Sequence, residues 1–290
     1  MKQCTLYCLA SVFFLFLSLP VSETAAAEPL KLGIHPYLAA TELHKRFTPL
    51  VEYFEKKLGR KVSIVITRDY QDQIDSIGRD ALDIAFMGPS EYVKMVTIYG
   101  RKPLLARIEN KGKGYFHGMI FVKKDSSIKT LRDLRGKKFA FCDKNSTMTR
   151  VPLQMLWKAG VTLDQIDTYN FLDKHENVAL GVLAGDFDAG AVKDEIFAKY
   201  ESRGLRVLER TPDISEHIFV TSNKLPEQTV TILRKALYEL KNSPEGIAIM
   251  TSIKEGLTAI GQVEDKDYDN LRTILDDLKK IKELKKMSIE

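Results

Sequence analysis

The chain has 290 residues, 44% of them hydrophobic, with a net charge of +5 and a pI near 8.9. That length can bury one large or two medium cores without disulfide or metal staples. Its 44 Lys and Arg are scattered among 39 Asp and Glu with no basic helix interleaved with aromatics, which excludes a nucleic-acid target and leaves a mild field that gathers small anions.

At the N-terminus Lys2 precedes an apolar stretch from Leu6 to Leu19, and a polar segment closes on Ala25-Ala26-Ala27. This reads as a secretory signal, residues 1–27, cut after Ala27, because the apolar core is short for a membrane span. Tyr7 precedes Cys8 where a lipoprotein box needs a small residue, so no lipid anchor is expected. Cleavage leaves Cys142 alone in an oxidising compartment, without a disulfide partner in the chain. It follows the apolar run Phe139-Ala140-Phe141 and reads as a buried, inert thiol.

From Leu30 onward, short apolar runs alternate with amphipathic stretches. Strands are expected at 32–34, 62–66 and 82–86 and around 104–108, with helices over 41–58, 71–77 and 89–98 between them. Leu43, Phe47, Leu50, Val51, Phe54 and Leu58 share one face of the first helix, and Gly59 stops it. A second series has strands at 119–122, 138–141, 169–172 and 188–192 and helices at 149–158, 176–184 and 195–201. Strands at 205–208 and 218–221 follow, and the chain is helical from Pro226 to its end. The rhythm is that of an α/β protein with two lobes. We expect residues 28–117 to begin lobe 1, 118–217 to form lobe 2, and 218–290 to return to lobe 1 with C-terminal helices packed on it. The crossings near 114–121 and 210–220 would form a hinge.

The most informative segment is the turn Asn145-Ser146-Thr147-Met148-Thr149, where a hydrophobic strand runs into a helix start. Free N–H groups and the positive dipole end make such a start an anion site, although Ser, Thr and Asn also simply cap helices. In a two-lobed α/β protein the carboxyl ends of the strands face the cleft. That would bring together His35-Pro36-Tyr37, Gly88 to Tyr92, Tyr115 to His117, the 145–149 turn, Asp173 to His175, and Lys193-Asp194. An enzyme is not expected, since the five histidines show no short metal spacing and neither a nucleophile elbow nor a nucleotide-type phosphate loop occurs. No cofactor or metal is expected.

The chain resembles the phosphate, phosphite and phosphonate substrate-binding proteins of ABC transporters, the PhnD-like group of type II periplasmic binding proteins. The marks are FMGPSEY (86–92), KKDSSIKTLRDLRGKKFAFCDKNST (123–147), HENVALGVLAGDFDAGAVKDE (175–195) and EDKDYDNLR (264–272), in the family's order along essentially the whole mature chain. The resemblance implies a periplasmic Venus-flytrap receptor, expected as a monomer, that closes on a small phosphorus oxyanion and delivers it to a membrane permease. It implies ligand contacts from Ser146 and Thr147, with Thr149 restoring a hydroxyl after Met148, and from His175, Tyr37 and Tyr92. Asp194 falls where phosphonate binders carry an acid near a substrate amine. It could also share a proton with a monoprotonated phosphate or pair with Lys193 or Lys174. Tyr115 and His117 are weaker candidates. Rival readings are an input module for a membrane kinase or other signalling partner, and a receptor for another small organic anion on the same fold.

Overall fold

The computed structural model describes residues 28–280; the expected signal segment and the last ten residues of the expected C-terminal helical stretch lie outside them. The first series is β1 (Leu30–Ile34), α1 (Ala40–Leu58), β2 (Val62–Ile66), α2 (Tyr70–Gly78), β3 (Ile84–Met87), α3 (Pro89–Tyr99) and β4 (Leu104–Asn110). A short strand β5 (Tyr115–Phe116) leads into the second series. That series is β6 (Gly118–Lys123), β7 (Lys138–Phe141), α4 (Thr147–Lys158), β8 (Thr168–Phe171), α5 (His175–Ala184), β9 (Ala189–Lys193), α6 (Asp194–Glu201) and β10 (Leu205–Arg210). The return passes through β11 (Ile214–Ser215) to β12 (Ile218–Thr221), α7 (Glu227–Glu239), α8 (Pro244–Ile253), β13 (Leu257–Gly261) and α9 (Asp269–Lys279).

These strands form two mixed sheets, in the orders β13-β4-β12-β3-β1-β2 and β10-β6-β9-β7-β8. β5 and β11 pair antiparallel as a separate ribbon where the chain crosses between them, with Phe116 opposite Ile214. β1 runs parallel to β2 and β3, and β7 runs parallel to β8 and β9. Parallel pairing sends all the βα turns of a sheet to one end, so each sheet presents its helix starts together.

Local chemistry explains the elements that matter for the cleft. α1 buries Leu43, Phe47, Leu50, Val51 and Phe54 at helical spacing, and Gly59 ends it with a φ of 61° that favours glycine. α7 and α8 pack on α1 beside the first sheet. α9 reaches further than an attachment to one lobe requires. It packs on α3 and also on α4, with Leu278 in the core of the second sheet and Gln154 Nε2 donating to Asp277 Oδ2 at 3.0 Å.

Candidate ligand-binding cleft

Turns from both sheets close around one small cavity of about 30 Å³. The first lobe contributes His35 and Tyr37 after β1, Tyr70 at the start of α2, Gly88 and Glu91 at the start of α3, and Lys254 after α8. The second contributes Ser146, Thr147 and Met148 at the start of α4, His175 opening α5, and Lys193 and Glu195 around the start of α6. Phe116 and His217, from the crossings, complete the wall.

At α4, Ser146 is the N-cap, its Oγ accepting from the Met148 N–H at 3.1 Å. Thr147 Oγ1 accepts from the Ser90 N–H of α3, also at 3.1 Å, so helix starts from opposite lobes touch. A hydroxyl that accepts still has its own proton to donate, and both side chains line the cavity. The Lys193 N–H points at His175 Nδ1 across 3.3 Å. This fixes the neutral tautomer, with the proton on Nε2 as the donor the ring offers. Burial, helped by the Lys193 charge, pushes the His175 pKa down to about 3, so the ring is neutral at ordinary pH.

Lys193 Nζ lies 2.8 Å from Glu216 Oε2 and 4.0 Å from the centre of the Phe116 ring. Lys254 Nζ lies 2.9 Å from Glu216 Oε1 and 3.2 Å from Glu195 Oε2. Glu216 is completely buried and holds one ammonium from each lobe. Burial alone would raise its pKa, but Lys193, His217 and Lys254 outweigh burial and hold it well below the usual range. Burial likewise opposes the charge on Lys254, while Glu216 and Glu195 raise its pKa. Such a network is costly to break, because removing one partner leaves an uncompensated buried charge.

On the opposite wall His35 Nδ1 lies 2.6 Å from Glu91 Oε2, which also accepts the Gly88 N–H at 2.7 Å. A Cβ at Gly88 would lie 2.9 Å from Glu91 Oε2, with His35 Cε1 at 3.4 Å and His217 Nε2 at 3.8 Å, so a larger residue there would displace the Glu91 carboxylate. Those three groups therefore converge on one point of the wall.

Of the expected site residues, Tyr37, Ser146, Thr147 and His175 line the cavity, and four do not. Tyr92 is buried with its hydroxyl on Asp265 at 2.6 Å and its ring against Tyr268, because the turn of α3 aims Glu91 at the cleft instead. Thr149 is fully buried one step along α4 and outside the cavity lining. Asp194 opens α6 with its Oδ1 accepting the next N–H, that of Glu195, at 2.8 Å, and borders a wider outer groove. Tyr115 borders the same groove, edge-on to His117. Sequence pattern gave no role to His35, Glu91, Lys193, Glu195, Glu216 or Lys254. The first three stood in turns expected at the cleft, which was the one available signal.

Fold and cleft define a two-lobed solute-binding protein. Residues 32–268 match the family described as ABC transporter, phosphonate, periplasmic substrate-binding protein, and the chain belongs to that family. It is similar to the phosphate-import protein PhnD of Mycolicibacterium smegmatis, 27% identical over 286 residues covering 89% of this chain and 88% of the relative. The phosphonates-binding periplasmic protein of Escherichia coli is 25% identical over 242 residues, 80% of this chain and 72% of the relative. Among solved structures, PhnD1 from Prochlorococcus marinus in complex with methylphosphonate has the same fold, with a TM-score of 0.79 at 22% identity over 87% of this chain and 98% of that one.

Proposed function

We propose that this chain is the exported binding component of an ABC importer, closing its lobes on a small phosphorus oxyanion (phosphonate, phosphite or phosphate) and handing it to a membrane permease. The reading takes residues 1–27 as a cleaved signal and the mature protein as a periplasmic monomer. One observation carries it: Ser146, Thr147 and His175, all at helix starts of the second lobe, bring neutral donors to the same small cavity. Helix starts add unpaired N–H groups and a positive dipole end, which suits an anion without a fixed counter-charge.

Calorimetry on protein stripped of ligand tests the reading. Methylphosphonate, phosphite or phosphate should bind, and Ser146→Ala with Thr147→Ala should weaken binding. Each charge-assisted bond contributes roughly 1.5–3 kcal/mol, so the double variant should lose roughly 100- to 10,000-fold. Circular dichroism checks that α4 survives loss of its cap. Unchanged affinity in the folded variant would reduce the turn to a helix cap.

A further inference from the structure

Two carboxylates line the cavity, Glu91 and Glu195, and a third, Glu216, stands behind it against Lys193 and Lys254. Near a bound anion each carboxylate costs affinity unless something neutralises it or gives it a proton to accept. Glu195 and Glu216 have the chain's own cations, Lys254 and Lys193, at 2.8–3.2 Å. Glu91 differs. Its Oε2 is taken by the Gly88 N–H and lies against His35, but Oε1 is buried with no hydrogen-bond partner. His35 Nε2 is also buried without a partner, and both residues are 1% exposed and line the cavity. Leaving a buried acceptor unmatched is unfavourable, so an occupant that supplies a donor is favoured. The cavity is small, and a donor carried on the ligand's central atom would reach Glu91 with less displacement of its walls than one on an aminoalkyl arm.

Resting on the function proposed above, we infer that the cavity selects its ligand by a proton: Glu91 Oε1 accepts the O–H of a protonated phosphorus oxyanion, with His35 beside it. Phosphate, phosphite and phosphonates carry such a P–OH in their monoanions. Sulfate and sulfonates, fully deprotonated in neutral solution, present only acceptors to Glu91 and are rejected. Glu91 is thus a specificity residue, separate from the donors of α4 and α5.

Calorimetry at about pH 6, where phosphoryl groups still carry a proton, with methylphosphonate, dimethylphosphinate, methanesulfonate and 2-aminoethylphosphonate provides the test. Dimethylphosphinate has the charge and nearly the size of the methylphosphonate monoanion but no O–H. A site built around a ligand hydroxyl rejects analogues lacking it strongly, so wild-type protein should prefer methylphosphonate over dimethylphosphinate and methanesulfonate by roughly 100-fold or more. Glu91→Gln, which offers an N–H in place of an acceptor, should bring these ligands within roughly tenfold of one another. Wild-type affinities already within tenfold would overturn the inference and leave the oxyanion reading standing. Tighter binding of 2-aminoethylphosphonate would also overturn it, since the donor would then be an ammonium. Binding of no phosphorus ligand by wild type would overturn both.

Discussion

Asp143 shows how a single buried group near the α4 turn sets a pH dependence. Burial raises its pKa from 3.8 to about 6, against the lowering effect of the Asn145 N–H it accepts at 2.6 Å. A folded-state pKa above the unfolded value makes the contribution fully favourable below about pH 4 and lost as pH rises through about 6. The full effect is on the order of 3 kcal/mol. His175 has the opposite sign: with its folded pKa down at about 3, its contribution is present above the unfolded value near 6.5 and lost as pH falls. Asp143→Asn keeps an acceptor for Asn145 and isolates the first effect. The stability difference between variant and wild type, from urea unfolding, should grow in the variant's favour between about pH 4 and 6. A flat difference would show that Asp143 does not titrate in this range. At this scale the sequence was legible for position where residue type and local setting coincide: Ser146, Thr147 and His175 come to the cavity wall at helix starts, and Cys142 is buried. At two helix starts it is the neighbour of the expected residue that lines the cavity, Glu91 beside Tyr92 and Glu195 beside Asp194. Neighbours on a helix point about 100° apart, and only packing of the finished helix sets which of them meets the cleft.

Elements, by contrast, followed the pattern closely except after Pro226, where the expected all-helical end is interrupted by β13 (Leu257–Gly261), which pairs with β4 at the edge of the first sheet. Both series of strands and helices formed where apolar periodicity and stop signals placed them, since long amphipathic segments such as α1 carry their own evidence. The lysine and glutamate partners escaped detection because they join at the level of tertiary structure. Lys193, Glu216 and Lys254 lie in three different elements or connections, and a lysine at a strand end reads as a solvated charge until the fold buries it. α9 likewise reads as an amphipathic terminal helix, yet its apolar face covers parts of both lobes. Leu278→Ala should cost about 2–5 kcal/mol, the range for truncating a buried leucine, measured by urea denaturation. A midpoint within error of wild type would mean that α9 rests on α4 only superficially.

For the whole molecule, the contact of Thr147 with Ser90 and the lysine bridges through Glu216 describe lobes drawn together. Small-angle X-ray scattering should show a lower radius of gyration on adding methylphosphonate to stripped protein, because ligand binding favours the closed arrangement. An unchanged profile at saturating ligand would place closure before binding. Glu216 lies in the returning crossing beside the β5–β11 ribbon, with a cation from each lobe, so moving the lobes apart about this crossing would stretch one of those contacts. Opening about this crossing would therefore work against its own ion pairs. Those ion pairs and the ligand's contacts would then share the work of closure, and a measured affinity would report both.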